Sequence, residues 1–181
     1  RSLRTKEQRI PLNRALSVAE QVIDALKEAD LGIHQIEAAG SLRRWKETIG
    51  DVDIIGTSED PKGVINSFIK LPMVEEVLVH GPTKATVVVY GGFQMDLRMV
   101  EDDRFGALIQ YFTGSRQHNI HLRDFANKMG LSLNEYGITD VKTGQVYKFT
   151  DERSLYAHMG LQFIPPEIRE GLWEVEMAAS Q

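Results

Sequence analysis

Cysteine is missing from all 181 residues, so the protein can form neither a disulfide nor a thiolate zinc site. This absence is compatible with a reducing cytoplasm, which is the location we expect. No apolar run approaches the roughly 20 residues that a membrane helix needs. The first residues also lack the pattern of a secretory signal peptide. We therefore expect no membrane partner.

An excess of positive charge is missing as well, because the formal net charge is -5. This balance argues against non-specific coating of nucleic acid, although steering depends on where the charges sit. The basic side chains between Arg1 and Arg14 predict either a DNA-backbone contact or a solvated end. The length suits one large domain or two small ones. Because the chain begins at Arg1 and not at methionine, we expect it to be part of a longer protein.

Apolar spacing and turn residues predict the secondary structure of the first hundred residues. Helices are expected at 12–29, 41–48 and 61–70. Strands are expected at 34–39, 51–56, 74–79, 84–90 and 93–100. The last two strands are joined by Gly91-Gly92, which is a strong hairpin signal.

The strand-like pattern of the sequence ends after Val100, where Glu101-Asp102-Asp103 forms an acidic break. We place a domain boundary close to residue 102. Beyond it, helical spacing predicts helices at 104–112, 116–129 and 152–159, and Thr143-Gly144 predicts a short hairpin.

Carboxylates occur in two of the predicted strands of the first domain. Asp51 and Asp53 are two residues apart, so their side chains should project from the same face of a strand. In the strand at 93–100, Asp96 and Arg98 share one face and Met95 lies on the other. Three aspartates on one sheet would form an oxygen-rich site suited to Mg²⁺ or Mn²⁺. Two such ions about 3.5 to 4 Å apart stabilise the attacking and leaving oxygens of a phosphoryl displacement.

A basic turn precedes the paired aspartates in the stretch GSLRRWKETIGDVDIIGT at residues 40–57. Glycine at position 40 lets backbone approach a phosphate closely, and a helix that begins at Ser41 would offer free N–H groups. Arg43 or Arg44 could neutralise triphosphate oxygens. Paired aspartates alone are more often solvated turn acids, and Asp96 could simply pair with a nearby arginine. The combination of these features is more specific than any one of them.

The combination resembles the DNA polymerase beta superfamily of nucleotidyltransferases, and more narrowly the family X DNA polymerases of bacterial and archaeal type. The palm motif of that family stands here as GSLRRWKETIGDVDI, and its thumb motif as YFTGSRQHNIHLR at 111–123. The likeness continues through LSLNEYGI at 131–138 and FIPPEIRE at 163–170. It implies an α+β fold. A palm at 1–102, with a lead-in helix within 1–30 and a mixed sheet flanked by helices, would precede a small α/β thumb at 103–181.

The resemblance also implies roles for individual palm residues. Two Mg²⁺ ions, which Mn²⁺ could replace, would be bound by Asp51, Asp53 and Asp96. Asp96 would also help to activate the primer 3′-hydroxyl. The triphosphate would be held by Arg9, Gly40, Ser41, Arg44 and Gly50. Arg98, on the DNA side of the site, would pair with an active-site aspartate in an idle state and release it on closure.

Thumb residues are assigned in the same way. The nucleotide would be contacted by Tyr111, Phe112, Gly114, Ser115, His118 and Asn119. The two aromatic side chains and Gly114 would lie against the sugar, and Asn119 would touch the minor-groove edge of the base. Arg123 would contact the template strand. Ile49 and Arg116 depart from the vertebrate repair enzyme, which has a serine and an acid there, so contacts at these two positions should differ.

The activity implied by the resemblance is that of a DNA-directed DNA polymerase. The protein, a monomer, would add a dNMP from a dNTP to the primer 3′ end of gapped or primed DNA, as in base-excision repair. No counterpart of the family's helix-hairpin-helix or phosphoesterase regions stands in these residues, so we predict no lyase or exonuclease activity for them. One alternative is a template-independent nucleotidyltransferase acting on RNA or a small acceptor. The other is a non-catalytic fragment that binds DNA or nucleotide.

Overall fold

The computed structural model describes residues 9–179. The chain divides into two compact units, Arg1–Glu101 and Asp102–Gln181, and each contains its own cluster of buried apolar side chains. Both units combine helices with antiparallel or mixed sheets, which confirms the α+β class. Within residues 9–179, no helix has both the length and the apolar character that crossing a membrane requires.

The first unit contains three helices and seven strands within its described residues. The helices are α1 (Leu12–Glu28), α2 (Gly40–Arg43) and α3 (Pro61–Ile69). The strands are β1 (Ile10–Pro11), β2 (Ile33–Ala38), β3 (Thr48–Ile49), β4 (Val52–Ser58), β5 (Val74–His80), β6 (Lys84–Val89) and β7 (Phe93–Met99).

A five-stranded sheet with the order β2-β4-β7-β6-β5 forms the centre of this unit. The pair β4–β7 is parallel and the other neighbours are antiparallel, so the sheet is mixed, as predicted. Helices α1 and α3 pack their apolar stripes onto it, and one buried cluster unites them with β4, β6 and β7. Along β7, buried residues alternate with half-buried ones. One face of β7 therefore joins the core and leaves its polar residues on the other.

Local sequence explains most of these boundaries. Pro11 immediately precedes α1, and Asp60 caps α3 by accepting a hydrogen bond from the backbone N–H of Gly63 at 3.0 Å, with Pro61 in the first turn. The helix predicted at 41–48 is wrong in length, since α2 ends at Arg43. The next two residues form a turn, and Thr48–Ile49 becomes a strand paired with Ile10–Pro11. Tertiary pairing has overridden local helical preference there.

The second unit contains four α-helices and a three-stranded antiparallel sheet within its described residues. The helices are α4 (Phe105–Thr113), α5 (Arg116–Lys128), α6 (Glu152–His158) and α7 (Glu174–Ala179). The strands are β8 (Leu131–Asn134), β9 (Gly137–Asp140) and β10 (Val146–Tyr147), in the order β10-β9-β8. Short 3₁₀ turns occupy Asp102–Arg104 and Pro166–Ile168.

Apolar residues from α5, α6 and the sheet make up the core of the second unit. The predicted helices at 104–112, 116–129 and 152–159 agree with α4, α5 and α6 to within one or two residues. The hairpin predicted around Thr143-Gly144 is also present, as β9 and β10. Asp151 caps α6 by accepting a hydrogen bond from the backbone N–H of Ser154 at 2.8 Å.

Candidate active site

Two of the three predicted metal-binding aspartates are brought side by side by the sheet. Strands β4 and β7 run parallel with Asp53 opposite Asp96 in the register. Neighbouring strands lie about 4.8 Å apart, and residues in register project to the same side. The flanking residues Val52 and Met95 are fully buried on the other face, while both aspartates are half-buried. The predicted shared face for Asp53 and Asp96 is therefore present.

Thr86 is a third member of this group that the sequence did not reveal. It lies opposite Asp96 in the β6–β7 pairing, and its Oγ1 donates a hydrogen bond to Asp96 Oδ1. Asp96 is thus held between a carboxylate on one side and a hydroxyl on the other. A lone threonine in the run KATVVV reads as an ordinary strand residue, and only the exact hairpin register could have identified it.

The electrostatics of the pair favour a positively charged ligand. Burial, the charge of Asp96 and a hydrogen bond shared with it raise the pKa of Asp53 from 3.8 to about 7. The positive charge of Arg98 lowers this pKa, and the negative charge of Asp51 raises it. Two carboxylates this close resist double ionisation unless a cation stands between them.

Asp51 differs from the prediction, since β4 begins at Val52 and Asp51 lies just before it, exposed to solvent. The argument from alternation along a strand therefore does not apply to Asp51. Across residues 9–179, no three histidine, aspartate or glutamate side chains are arranged as a ready-made metal site. The donor set nevertheless fits a hard divalent cation. It consists of two paired carboxylates and a third within electrostatic range, all oxygen ligands.

The predicted phosphate-binding turn is present but is shorter than expected. Gly40 has φ +70°, a conformation that suits glycine, and the backbone N–H groups of Arg44 and Lys46 bond back to the carbonyls of Gly40 and Ser41 at 3.3 and 3.2 Å. Since α2 has only four residues, its dipole contributes less than the predicted helix would have done. If the turn binds phosphate as predicted, side-chain charge would contribute more than the helix dipole.

The sequence left open whether Arg43 or Arg44 binds the triphosphate, and the structure places Arg43 in an ion pair. Arg43 Nε donates to Glu37 Oε1 at 2.9 Å, so part of its guanidinium is committed within the unit. Arg44 is half-buried beside the Gly40-Ser41 turn. Arg44, next to the turn, stays the predicted phosphate ligand.

Arg9 and Gly50 are distant in sequence and lie together in the structure. Arg9 Nε donates to Thr48 Oγ1 at 2.7 Å, and its Nη2 donates to the Thr48 carbonyl at 2.6 Å. Its Nη1 lies 3.7 Å from the position that a Cβ on Gly50 would occupy. The short β1–β3 pairing thus places a guanidinium next to the turn that leads into Asp51.

The basic stripe predicted between Arg1 and Arg14 falls largely outside the described residues, since residues 1–8 are not among them. Of its members, Arg9 is placed by the contacts above. Arg98 pairs in register with Ile55 and Lys84, and its charge acts on Asp53. This interaction agrees with an arginine that neutralises an aspartate of the site.

In the second unit, the predicted nucleotide residues surround the turn between α4 and α5. Gly114 has φ +67° and ψ -151°, which strongly favours glycine. The following peptide bond, Gly114–Ser115, is cis. Ser115 caps α5, and its Oγ accepts a hydrogen bond from the backbone N–H of His118 at 3.2 Å. Its own N–H donates to the Arg169 carbonyl at 3.3 Å.

Tyr111 and Phe112 present aromatic surface beside this turn. Their rings meet edge to face, with centroids 5.2 Å apart. The Tyr111 side chain is 40% exposed and Phe112 is half-buried. Tyr111 is thus the exposed residue of an otherwise buried helix, where a ligand could reach its ring.

Asn119 lies on the first turns of α5, and both ends of its amide are bonded. Its Oδ1 accepts from Gln110 Nε2 at 2.7 Å, and its Nδ2 donates to the Tyr111 carbonyl at 2.9 Å. Arg123 follows one helical turn later and is half-buried, so the two share a helix face as predicted. Gln110 was not identified from the sequence, although a lone glutamine in the apolar run ALIQYF is itself a signal, because a buried amide needs a partner.

His118 does not have the predicted role in this structure. Its side chain is fully buried, with Nδ1 2.7 Å from Glu174 Oε2 and Nε2 2.8 Å from the Tyr156 hydroxyl. Burial lowers the pKa of His118 to about 4 despite the favourable bond to Glu174. The neutral ring therefore donates from Nδ1 and accepts at Nε2. With both nitrogens engaged in the interior, His118 supports the turn and offers no surface to a nucleotide.

The chain was compared with known protein families and curated proteins. Residues 9–93 match the family described as DNA polymerase beta palm, and residues 108–170 match DNA polymerase beta thumb. Together these matches include Asp51, Asp53, the GS turn and the YFTGS segment, while Asp96 lies between the two matched segments.

Three curated relatives illustrate the similarity. The chain is 38% identical over 171 residues to DNA polymerase/3′-5′ exonuclease PolX of Bacillus subtilis, covering 93% of this chain and 30% of the relative. It is 25% identical over 190 residues to DNA polymerase lambda of Rattus norvegicus, covering 90% and 33%. Repair DNA polymerase X of African swine fever virus is 29% identical over 140 residues, covering 74% and 80%.

The chain thus spans about a third of the length of the bacterial and rat relatives, and most of the viral one. The pairing of Asp53 with Asp96, the turn before α5 and the two family matches all indicate the same family. The chain belongs to the family X DNA polymerases, of which it comprises the palm and thumb domains.

Proposed function

We propose that this chain is the nucleotidyl-transfer part of a template-directed DNA polymerase that fills short gaps during DNA repair. The substrates are a dNTP and the primer 3′ end of gapped or primed DNA, and the protein acts as a monomer in the cytoplasm. The observation that carries the proposal is the register of Asp53 with Asp96 on parallel strands, in a chain whose palm and thumb both match this family.

In the palm, Asp51, Asp53 and Asp96 would hold two divalent cations, Mg²⁺ or Mn²⁺. Bound there, the cations would neutralise charge on the reacting phosphate oxygens. The raised pKa of Asp53, about 7, supports this assignment, because a nearby cation favours the ionised form of a carboxylate. Thr86 keeps Asp96 oriented through its hydrogen bond.

The reaction joins the primer 3′-oxygen to the α-phosphorus of the dNTP and breaks the bond between the α-phosphorus and the bridging oxygen to the β-phosphate. Pyrophosphate leaves. Asp96 accepts the hydroxyl proton or orients the hydroxyl for its loss. Catalysis of this type depends mainly on positioning and on charge stabilisation, which the remaining palm residues would supply.

Arg9, Arg44, Gly40, Ser41 and Gly50 would hold the β- and γ-phosphates. The bonds from Arg9 to Thr48 orient its guanidinium next to Gly50. A guanidinium that is already oriented loses less freedom when it binds an oxyanion. Arg98 would neutralise Asp53 in the idle state and leave it when a cation binds, in keeping with its effect on the pKa of Asp53.

In the thumb, Tyr111 and Phe112 would lie against the deoxyribose, and Gly114 leaves room for it. Asn119 would contact the minor-groove edge of the base, and Arg123 the template strand. The viral relative supports the view that these two domains suffice, because this chain covers 80% of its length and its name is Repair DNA polymerase X.

The test is extension of a primer across a one-nucleotide gap with Mg²⁺ or Mn²⁺, one dNTP at a time. The wild type is compared with Asp96→Asn and with Asp24→Asn, an exposed aspartate on α1. We expect incorporation of the templated nucleotide by the wild type and Asp24→Asn, and its loss in Asp96→Asn. Extension that ignores the template base would support a template-independent transferase instead. Unchanged incorporation in Asp96→Asn would contradict the proposed chemistry.

A further inference from the structure

Helix α4 is buried along most of its length, and Gln110 is its one buried amide. Gln110 is 2% exposed, and its neighbours Leu108 and Ile109 are buried apolar residues. A buried amide without a partner is costly, so such a residue is kept where it makes a bond. The bond that Gln110 makes is the donation from its Nε2 to Asn119 Oδ1 at 2.7 Å.

The orientation of both amides is determined by a backbone carbonyl. The Tyr111 carbonyl can only accept, and it lies 2.9 Å from Asn119 Nδ2. The NH₂ group of Asn119 must therefore face Tyr111, which turns Oδ1 toward Gln110. Gln110 must in turn present its own NH₂ group to that oxygen. A flip of either amide would place two donors or two acceptors against each other.

We propose that Gln110 is a positioning residue for base recognition, acting through Asn119. The inference rests on the proposed polymerase function, in which Asn119 meets the minor-groove edge of the incoming base. An asparagine amide has two N–H donors and two oxygen lone pairs. The bonds to Tyr111 and Gln110 use one of each, so one N–H remains to be directed at a ligand.

The direction of that remaining N–H determines which bases Gln110 helps the protein to bind. In the minor groove, purine N3 and pyrimidine O2 are acceptors in all four base pairs. A single N–H held in one direction serves all four nucleotides, whereas an amide held by the Tyr111 carbonyl alone could turn away from that direction and lose the bond to the same acceptors. Gln110 therefore strengthens binding of every dNTP without selecting among them.

The experiment measures KM and kcat for one-nucleotide gap filling with each of the four dNTPs. Gln110→Met removes the bond and keeps a similar volume, while Gln110→Glu keeps the shape but places an acceptor against Asn119 Oδ1. Gln117→Met, at an exposed position on the first turn of α5, is the matched control. We expect Gln110→Met to raise KM about five- to tenfold for all four dNTPs, with less change in kcat. Gln110→Glu should raise it more, and the control should resemble the wild type.

A double-mutant cycle separates positioning from a general effect on packing. In an Asn119→Ala background, Gln110→Met should have no further effect on KM, because the group it positions is gone. The same rise in KM in that background would overturn the proposal. So would a rise confined to one base, or an unchanged KM in Gln110→Met.

A readout that does not depend on activity distinguishes this inference from the proposed function. The side-chain amide signals of Asn119 in ¹⁵N NMR spectra, identified by their loss in Asn119→Ala, should exchange slowly with solvent in the wild type and faster in Gln110→Met. Unchanged exchange would refute the positioning role even if the polymerase is active. Faster exchange in a protein that incorporates no dNTP would support the positioning and contradict the proposed function.

Discussion

The palm and the thumb each contain a cluster of ionisable side chains, and the clusters differ in how their charges are balanced. In the thumb, His118 donates to Glu174 and accepts from Tyr156. Burial raises the pKa of Glu174, but the hydrogen bonds from His118 and from the backbone N–H groups of Gly171 and Leu172 outweigh it and lower that pKa. Each polar group of this thumb cluster is therefore hydrogen-bonded within the unit.

The second thumb pair, Arg169 and Glu152, also balances its charges within the unit, although Nη2 of Arg169 is buried and has no hydrogen-bond partner within residues 9–179. Arg169 is fully buried, and its Nη1 donates to Glu152 Oε2 at 2.7 Å while its Nε donates to the Ile164 carbonyl at 2.9 Å. Its guanidinium also lies 5.2 Å from the centre of the Tyr156 ring. The carbonyl of Arg169 then accepts from Ser115 at the head of α5. These bonds support the turn without taking part in chemistry.

The palm cluster is different, because negative charge exceeds positive charge among its members. Asp53 and Asp96 stand side by side with Asp51 within electrostatic range of Asp53, and the charge of Arg98 offsets part of their negative charge. The comparison shows that a perturbed pKa alone does not identify an active site. His118 is perturbed and structural, whereas Asp53 is perturbed within a group whose charge calls for a ligand.

The largest expected effect comes from removing the unbalanced charge. Asp53→Asn should reduce gap filling at least about 10³-fold, since it removes a carboxylate from the reacting centre. It should also raise the melting temperature, because the repulsion between Asp53 and Asp96 disappears. Activity and thermal unfolding measured on the same preparation check both effects. A loss of activity accompanied by a lower melting temperature would mean that the pair is structural.

The next effect concerns the buried ion pair between Arg169 and Glu152 in the thumb. Arg169→Met should destabilise the thumb by about 3 to 5 kcal/mol, because Glu152 is left charged and buried. The second substitution Glu152→Gln should restore part of that loss. Urea unfolding followed by far-ultraviolet circular dichroism measures the change. Arg153→Met, which removes an exposed arginine near Phe163, is the control and should change stability little.

A smaller effect is expected from pH. The unfolded chain binds a proton at His118 below its ordinary pKa of 6.5, whereas the folded thumb binds it only near 4. The contribution of the neutral His118 to the free energy of unfolding is therefore complete above about pH 6.5, and it is lost as the pH drops toward 4. The loss from His118 between pH 7.5 and pH 5 should be about 2 kcal/mol. The lowered pKa of Glu174 acts in the same direction at still lower pH.

The same unfolding assay at several pH values tests this expectation. His118→Gln keeps a polar side chain but does not titrate, so its stability should depend less on pH over this range. An equal pH dependence in the wild type and His118→Gln would show that other groups are responsible.

The smallest effect concerns the palm turn after α2. Trp45 is 58% exposed and has φ +57°, a left-handed conformation that is unfavourable for residues with a Cβ. Trp45→Gly removes this strain but gives the unfolded chain more freedom. The net change should be a stabilisation below about 1 kcal/mol, measured by thermal unfolding. Destabilisation would show that the indole makes favourable contacts in the palm.

Local patterns were sufficient to predict most of the fold. Apolar periodicity located α1, α3 and α5 to within one or two residues, and alternation in FQMDLRM predicted which side of β7 is buried. Elements α7, β1 and β8 were not predicted, and helix α2 is a further exception, because the sequence predicts it to continue to residue 48. There the pairing of Thr48–Ile49 with Ile10–Pro11 involves residues far apart in sequence, and local preference contains no information about it.

The sequence by itself determined which residue types form the candidate site. Phosphoryl transfer needs carboxylates, a glycine turn and arginines whatever the fold, so these residues can be recognised without a structure. Only the tertiary structure decided which of them meet. The parallel register set Asp53 against Asp96, the hairpin set Thr86 beside it, and packing enclosed His118 while directing Gln110 at Asn119. These contacts join residues on separate elements, and their partners are selected by the burial of the whole core and not by neighbours along the chain.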